Sequence, residues 1–363
     1  MPPEFLSNEQ VVLAARRNLH QGAWDYLVGG SESETTMRRN RLGFDRWGFL
    51  PRILVDVSQV DPSTTLLGQR LRIPVILAPI GSLQIFAPEG GAASARAAAA
   101  FGSMLVVSSS TAPSLEETAA AGAAPKVFQL YVDDDLDWVK SVLGRVKAAG
   151  YVGLCLTADS ALYSRRERPM LTGWLAPSRQ AGHDAKYRAS VTWEMMDMIR
   201  EIGGLPFYLK GVAAAEDAAR AVEHGVDVIW VSNHGGRQLD QGVATMEVLP
   251  EIVAAVAGRA EVVLDGGVQR GGDVLKAIAL GARAVAIGKL QGWGLAAGGT
   301  EGLVRVLELL EHEIVSAMGL LGVTRIEGLG PQYVRPAEIV TPPHEMSMWP
   351  NMPTPDGPGG RLL

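Results

Sequence analysis

The stretch Val226-Asp227-Val228-Ile229-Trp230-Val231-Ser232-Asn233-His234-Gly235-Gly236-Arg237-Gln238-Leu239-Asp240 decides how the rest of the chain is read. An apolar, β-branched run gives way to a polar cluster with paired glycines, the pattern of a buried strand emptying into a loop at its C-terminal end. An α/β protein keeps its chemistry at that end of its strands. His234 can exchange a proton near neutral pH, and Arg237 offers a planar fork for a carboxylate or phosphate. Taken singly, the two would be read as a core histidine and a surface ion pair. A base and an anion clamp on one loop point instead to catalysis on a small acid.

Working outward, the alternation recurs. Apolar runs lie at 75–80, 105–107, 127–132, 151–156, 207–212, 226–231, 262–264 and 284–287. Stretches rich in alanine or charge, with helical spacing, follow at 91–101, 114–121, 136–149, 193–202, 214–224, 246–257, 273–280 and 301–318. Strands each followed by a helix predict an α/β fold of the (β/α)8 (TIM barrel) type. The runs are apolar throughout, as parallel strands covered on both faces require. Ser114 and Glu117 have capping-box spacing, and Gly102, Gly122, Gly150, Gly225 and Gly281 stand where left-handed C-caps would stop helices. No Gly-x-Gly-x-x-Gly follows a strand and no Walker loop is present, which disfavours a nucleotide domain of either type.

The expected organisation is one domain over 1–363: N-terminal helices and an arm (1–70), the barrel (71–322) and a C-terminal extension (323–363). Val11, Val12, Ala15, Leu19 and Trp24 space out one or two helices that Gly29-Gly30 stops. The run Arg52-Ile53-Leu54-Val55-Asp56-Val57 reads as a strand or extended arm entering the barrel. The segment 169–188, after the fourth strand, breaks the pattern and reads as a lid loop; loop packing is the reading for its Trp174-Leu175. The proline-rich tail at 341–360 is expected to be irregular.

Composition narrows the function. Of 363 residues, 47% are hydrophobic and 20% charged, which is ordinary for a globular chain with a large core. A net charge of −6 argues against nucleic-acid partners, so an anionic substrate would have to be caught by local arginines. Cys155 is the single cysteine and sits in an apolar run, as a buried hydrophobe in a reducing compartment would. Neither a signal peptide nor a membrane-spanning run is evident, and a cytoplasmic location is expected. No metal is expected.

The polar residues that close the apolar runs should share one mouth: Pro79-Ile80-Gly81, Ser108 to Ser110, Gln129 and Tyr131, Thr157 and Asp159, Lys210, Ser232 with His234 and Arg237, Asp265-Gly266-Gly267, and Gly288-Lys289. A hydrophobic core does not need polar groups on every strand end. The string Ser232 to Asp240, with Pro51 to Val57, Phe128-Gln129-Leu130-Tyr131, Leu209-Lys210-Gly211-Val212 and Asp265-Gly266-Gly267-Val268, resembles the FMN-dependent α-hydroxy acid oxidases and dehydrogenases, the family of glycolate oxidase, lactate oxidase and mandelate dehydrogenase. The similarity runs from Tyr26 to about Gly322.

That resemblance implies oxidation of a 2-hydroxy acid to the 2-oxo acid, with FMN as cofactor and its N5 as electron acceptor. His234 would be the base, Asp159 would orient it, and Tyr131 would hydrogen-bond the reacting oxygen. Arg166, Arg237 and Tyr26 would hold the substrate carboxylate. Pro79, Ile80, Gly81, Ser108, Gln129, Thr157 and Ser232 would line the flavin, with Lys210 against its N1 and C2 carbonyl. Asp265 would bind the ribityl chain, and Gly266, Gly267, Gln269, Gly288 and Lys289 the phosphate. Relatives carry arginine where this chain has Gln269 and Lys289, so the phosphate sees a point charge in place of two forks, with Arg270 available to compensate. Gly81 and Ser110 stand where glycolate oxidases carry larger residues, which implies a substrate bulkier than glycolate.

Two other readings compete: a non-redox FMN barrel of the isomerase kind, and a catalytically impaired family member acting as a binding protein. Oxygen, a quinone or a carrier protein could each reoxidise the flavin. Members of this family are often tetramers, so a homo-oligomer is expected.

Overall fold

The computed structural model describes residues 5–180, 185–340 and 348–349. Eight parallel strands close into a barrel: β1 (Val75–Leu77), β2 (Leu105–Ser108), β3 (Lys126–Leu130), β4 (Gly153–Thr157), β5 (Phe207–Val212), β6 (Val228–Val231), β7 (Glu261–Leu264) and β8 (Ala284–Ile287). Each pairs with its sequence neighbours, and Val285 opposite Val75 closes the ring. The fold is the α/β barrel that the alternation predicts.

Side chains alternate across each strand, and that parity builds the site. Ile76, Ala78, Val106, Val127, Cys155, Tyr208, Val228, Trp230, Val263, Ala284 and Ala286 form one buried cluster, the barrel interior. Their strand neighbours Val75, Leu77, Leu105, Val107, Phe128, Leu154, Leu209, Ile229, Leu264 and Val285 belong to the larger core between strands and helices. Two residues beyond the last inward apolar position of successive strands stand Ser108, Gln129, Thr157, Lys210, Ser232 and Asp265, which puts a polar ring on top of an apolar plug. Below the plug, an antiparallel hairpin (Thr64–Leu66 with Gln69–Leu71) adds Leu66 and Leu71 to the interior and covers the N-terminal end, where the Leu67 N–H donates to Glu261 at 2.7 Å.

The helices fall where expected, with Ser114 and Glu117 making the reciprocal capping box. Gly102, Gly150, Gly225 and Gly281 take the left-handed conformation, whereas Gly122 does not and Ala121 is the cap of its helix. The eighth helical stretch begins well before 301: it runs Lys289–Leu321, broken at Gly298-Gly299. Its early turns are glycine-rich because other chain comes close; a Cβ on Gly292 would lie 2.4 Å from the Leu27 side chain.

Ahead of the barrel, helices Asn8–Asn18 and Gln21–Val28 match the apolar spacing, and the Asn18 amide ties the first to the Ala296 carbonyl at 2.9 Å. A third helix, Thr35–Asp45, falls where no helix is expected. The segment 52–57 does not enter the barrel and forms no strand. It runs outside, held by the Arg52 N–H on the Leu321 carbonyl, with Ile53 and Leu54 exposed. Beyond the barrel, Val334–Pro336 pairs antiparallel with Trp47–Phe49. The tail at 341–360 lies, apart from Met348 and Trp349, outside the described residues.

Candidate active site

A cavity enclosing about 1460 Å³ of empty space, the open solvent at its mouth included, lies over the C-terminal ends of the strands. Pro79, Ile80, Gly81, Ser110, Tyr131, Lys210, His234, Arg237, Asp265, Gly266, Gly267, Gln269, Gly288 and Lys289 line it together with Tyr26 and Arg166. Nine separate stretches of sequence are thereby brought to one volume at the place where a barrel binds its ligands. Ser108, Gln129, Thr157 and Ser232 sit beneath it in the polar ring, all buried, and Asp159 lies behind His234.

The loop after β6 positions the proposed base. His234 adopts φ of +59°, and the glycines after it are also left-handed, so the chain doubles back at once. At Gly236 no side chain could be accommodated: a Cβ would lie 2.5 Å from the Met37 nitrogen, and the Gly236 carbonyl accepts the Ser31 N–H at 2.9 Å. His234 Nδ1 contacts Asp159 Oδ1 at 2.8 Å, and Ser160 Oγ donates to the same oxygen at 3.0 Å. Asp159 is therefore the acceptor that fixes the imidazole with Nδ1 protonated, leaving Nε2 as the basic nitrogen. Room for Asp159 depends on Gly211, whose φ is +108° and whose Cβ would meet the Asp159 Cβ at 2.7 Å.

Electrostatics keep this pair ready to work. Burial would raise the Asp159 carboxyl, but the charges of His234 and Lys210 and its hydrogen bonds outweigh that and hold it at about 2. Burial pushes His234 below its ordinary value and Lys210 reinforces the push, while Asp159 opposes it. Lys210 is buried yet held protonated by Asp265 and Asp159. Its Nζ donates to Ser232 Oγ at 2.8 Å and lies 3.2 Å from Asp265, and Ser232 in turn donates to Asp265 at 2.7 Å. Asp265 also accepts the Trp230 indole N–H at 3.0 Å, so both its oxygens are occupied in aiming the lysine. Tyr131 is held protonated by burial and by the Asp159 charge, and remains a donor at neutral pH.

Two guanidinium groups line the same cavity as the base. Arg237 donates from Nη1 to the carbonyls of Tyr26 and Gly29, each at 2.7 Å, and lies over the Tyr26 ring at 5.0 Å. Arg166 Nε donates to the Arg237 carbonyl at 3.2 Å and to Ser164 at 3.3 Å. Neither has a carboxylate partner among the described residues. Tyr26 donates to the Gly81 carbonyl at 3.2 Å.

The residues also fit FMN. Both polar atoms of the Gln129 amide and the Thr157 hydroxyl are buried without a hydrogen-bond partner, on adjacent strands beside Lys210. Buried polar atoms of this kind beneath a cavity suit a ligand with complementary donors and acceptors, as the polar edge of a flavin has. The Gly266-Gly267 turn offers backbone close to Lys289 for a phosphate. Arg270 does not compensate there: it is drawn away to Glu313 at 2.7 Å and to the Met348 carbonyl. Arg41 is the cation found instead, buried, lining the cavity, and bound to the Gly267 carbonyl and bidentately to Asp273.

Sequence reasoning missed Arg41 and Met37, because their helix was not foreseen, and Phe86 and Trp293. It also missed Ser160, Tyr163, Ser178, Arg179 and Arg188. Ser160 could have been found as the neighbour of Asp159. The last three lie in or beside the predicted lid, which forms short helical turns Glu167–Leu171, Pro177–Gln180 and Ala185–Ala189, with Trp174 packed on Tyr26 as loop packing predicts.

Residues 15–336 match the model of a family described as FMN-dependent dehydrogenase. The chain is 39% identical over 347 residues to an L-lactate oxidase of Nostoc, covering 88% of this chain and 95% of that protein. It is 40% identical over 339 residues to a 4-hydroxymandelate oxidase of Amycolatopsis orientalis, covering 88% and 95%. A mandelate oxidase variant solved with (S)-mandelic acid superposes with a TM-score of 0.86 at 39% identity, over 92% of this chain and 100% of that one.

Proposed function

Because the chain belongs to the FMN-dependent dehydrogenase family, and is thus an oxidoreductase that takes electrons from a 2-hydroxy acid onto FMN, we propose that it does so with His234 as base and Arg166 and Arg237 as the carboxylate clamp. The observation that carries this reading is the His234–Asp159 contact of 2.8 Å in a cavity also lined by two guanidinium groups without carboxylate partners among the described residues.

The substrate carboxylate is held by the Arg237 nitrogens not spent on backbone carbonyls and by Arg166, and it displaces the long Tyr26 bond to Gly81. Nε2 of His234 takes the proton released as the hydroxyl-bearing carbon is oxidised, and Asp159 stabilises the imidazolium that results. Tyr131 donates to the reacting oxygen. Bound FMN supplies the two-electron acceptor. Gln129, Thr157 and Lys210 would hold its polar edge, with Lys210 favouring the anionic reduced form. The Gly266-Gly267 turn and Lys289 would hold its phosphate.

A substrate bulkier than glycolate is supported by Gly81, beside which Ser110 and Ser178 leave space for an added carbon at 3.4 and 3.5 Å, and by the relatives named for mandelate oxidation. The oxidase names of the relatives support dioxygen as the final acceptor. The exposed apolar residues Ile53, Leu54 and Leu320 support self-association, and a cytoplasmic location is compatible with the buried, unpaired Cys155. Among the described residues no helix is long and apolar enough to cross a membrane.

The test is to load the protein with FMN and add racemic 2-hydroxy acids without oxygen. The flavin should bleach and recover its colour in air. A flavin that binds but stays oxidised with every acid would favour a non-redox barrel, and a chain that takes up no FMN would favour a binding protein.

A further inference from the structure

Beyond the two guanidinium groups that would clamp a substrate carboxylate and the Lys289 that would hold the flavin phosphate, the cavity is lined by one further cation without a carboxylate partner among the described residues. Lys210 is matched by Asp265, Arg41 by Asp273, and Arg188 by Asp133 at 2.5 Å. Arg166 and Arg237 are accounted for by the substrate carboxylate. Arg179 is left over. It lines the same cavity, its guanidinium lies 4.9 Å from the centre of the Tyr163 ring, and no carboxylate pairs with it among the described residues.

Its placement is built. Ala176, almost fully buried, anchors the turn; the Arg179 N–H closes it on the Ala176 carbonyl at 2.8 Å, and the Ser178 N–H donates to Ser82 Oγ at 2.9 Å. That bond brings Ser178 Oγ within 3.5 Å of the point where a Gly81 Cβ would stand, opposite Ser110. The wall that receives the substrate's side chain therefore carries two hydroxyls and a guanidinium where a hydrocarbon would need apolar lining. Burial and the nearby Arg166 charge both make the Arg179 cation costly, and a single monocarboxylate offsets only one of three such charges.

Resting on the proposed oxidation at this site, we propose that Arg179, with the hydroxyls of Ser110 and Ser178, forms a distal anion subsite, so that the preferred substrate is a 2-hydroxy acid whose side chain ends in a second anionic group such as a carboxylate. Guanidinium and hydroxyls supply donors only, or donors that can turn outward, which matches a terminal carboxylate or sulfonate and not an amine.

The test uses the FMN-loaded full chain and two unreactive acids that differ chiefly in the terminal group, glutarate and pentanoate, titrated by their perturbation of the flavin spectrum. Glutarate should bind at least about tenfold more tightly, the worth of one charged hydrogen bond in a partly buried site. Arg179→Gln should bring that ratio close to one. The idea is overturned if the native protein shows no preference for the diacid, or if Arg179→Gln leaves the ratio where it was. In parallel, 2-hydroxyglutarate and 2-hydroxyhexanoate are compared as reductants of the flavin. Reduction by both with no diacid preference in either assay would sink the subsite and spare the oxidation; diacid-selective binding with no reduction by any hydroxy acid would do the reverse.

Discussion

Replacing Asp159 by Asn keeps the shape of the site and removes the charge behind the imidazole. The 2.8 Å contact between Asp159 Oδ1 and His234 Nδ1 is shielded from solvent on both sides. With charge centres roughly 4 Å apart and an effective dielectric of about 20, the carboxylate stabilises the imidazolium by about 4 kcal/mol. An Asn oxygen still accepts the Nδ1 proton and retains about 1 kcal/mol of that. The net loss, about 3 kcal/mol, falls only on the state in which His234 carries the proton, so it slows the step by about a hundredfold. The assay is stopped-flow reduction of the bound flavin by a 2-hydroxy acid without oxygen, with substrate affinity read from the concentration dependence. Affinity should change little, since the carboxylate is held elsewhere. A variant that reduces its flavin within threefold of the native rate would refute this role for Asp159.

The remaining expectations concern pH, pocket volume and backbone space. His234 acts in its neutral form and burial lowers its pKa, so kcat/KM should fall only as pH drops through a midpoint below the ordinary histidine value of about 6.5 and stay level from neutrality upward; a midpoint well above it would contradict the assigned base. Gly81→Ala meets only ordinary contacts near 3.4 Å at an unstrained backbone, so the fold should be unaffected while turnover of a mandelate-sized acid drops more than that of lactate; equal losses would remove Gly81 from the substrate wall. At Gly211, alanine adds a Cβ at 2.7 Å from Asp159 on a left-handed backbone, which should cost about 1–3 kcal/mol in a denaturant melt and impair flavin reduction as well. A variant with native stability and rate would show that the strand has slack there.

What could be read in advance follows one physical rule. Apolar runs covered on both faces announce parallel strands, and the polar residues that end them had to meet at one rim, which is why Lys210, Gln129, Thr157 and His234 were all legible. Helix Thr35–Asp45 was not, because it is held by polar bonds in place of an apolar stripe: Thr36 to Asp240, Asn40 to Asn233 and Arg41 to Asp273. The exposed arm at 52–57 carries the β-branched residues of a strand but meets no partner strand. The start of the eighth helix hid behind glycines present for close approach to Leu27. Arg179 could not be placed at all, since an excursion without periodicity carries it back over the cavity. Arg270 was misplaced for a related reason: nothing in its own neighbourhood announced Glu313.

The account turns on His234 accepting the substrate's proton as electrons leave, and single-turnover reduction of FMN-loaded protein by a 2-hydroxy acid, native against His234→Gln, tests it most directly. The native protein should bleach and yield one 2-oxo acid per flavin, and the variant should bind FMN and the acid yet reduce at least about a thousandfold more slowly. Reduction by the variant at a rate near the native one would contradict it.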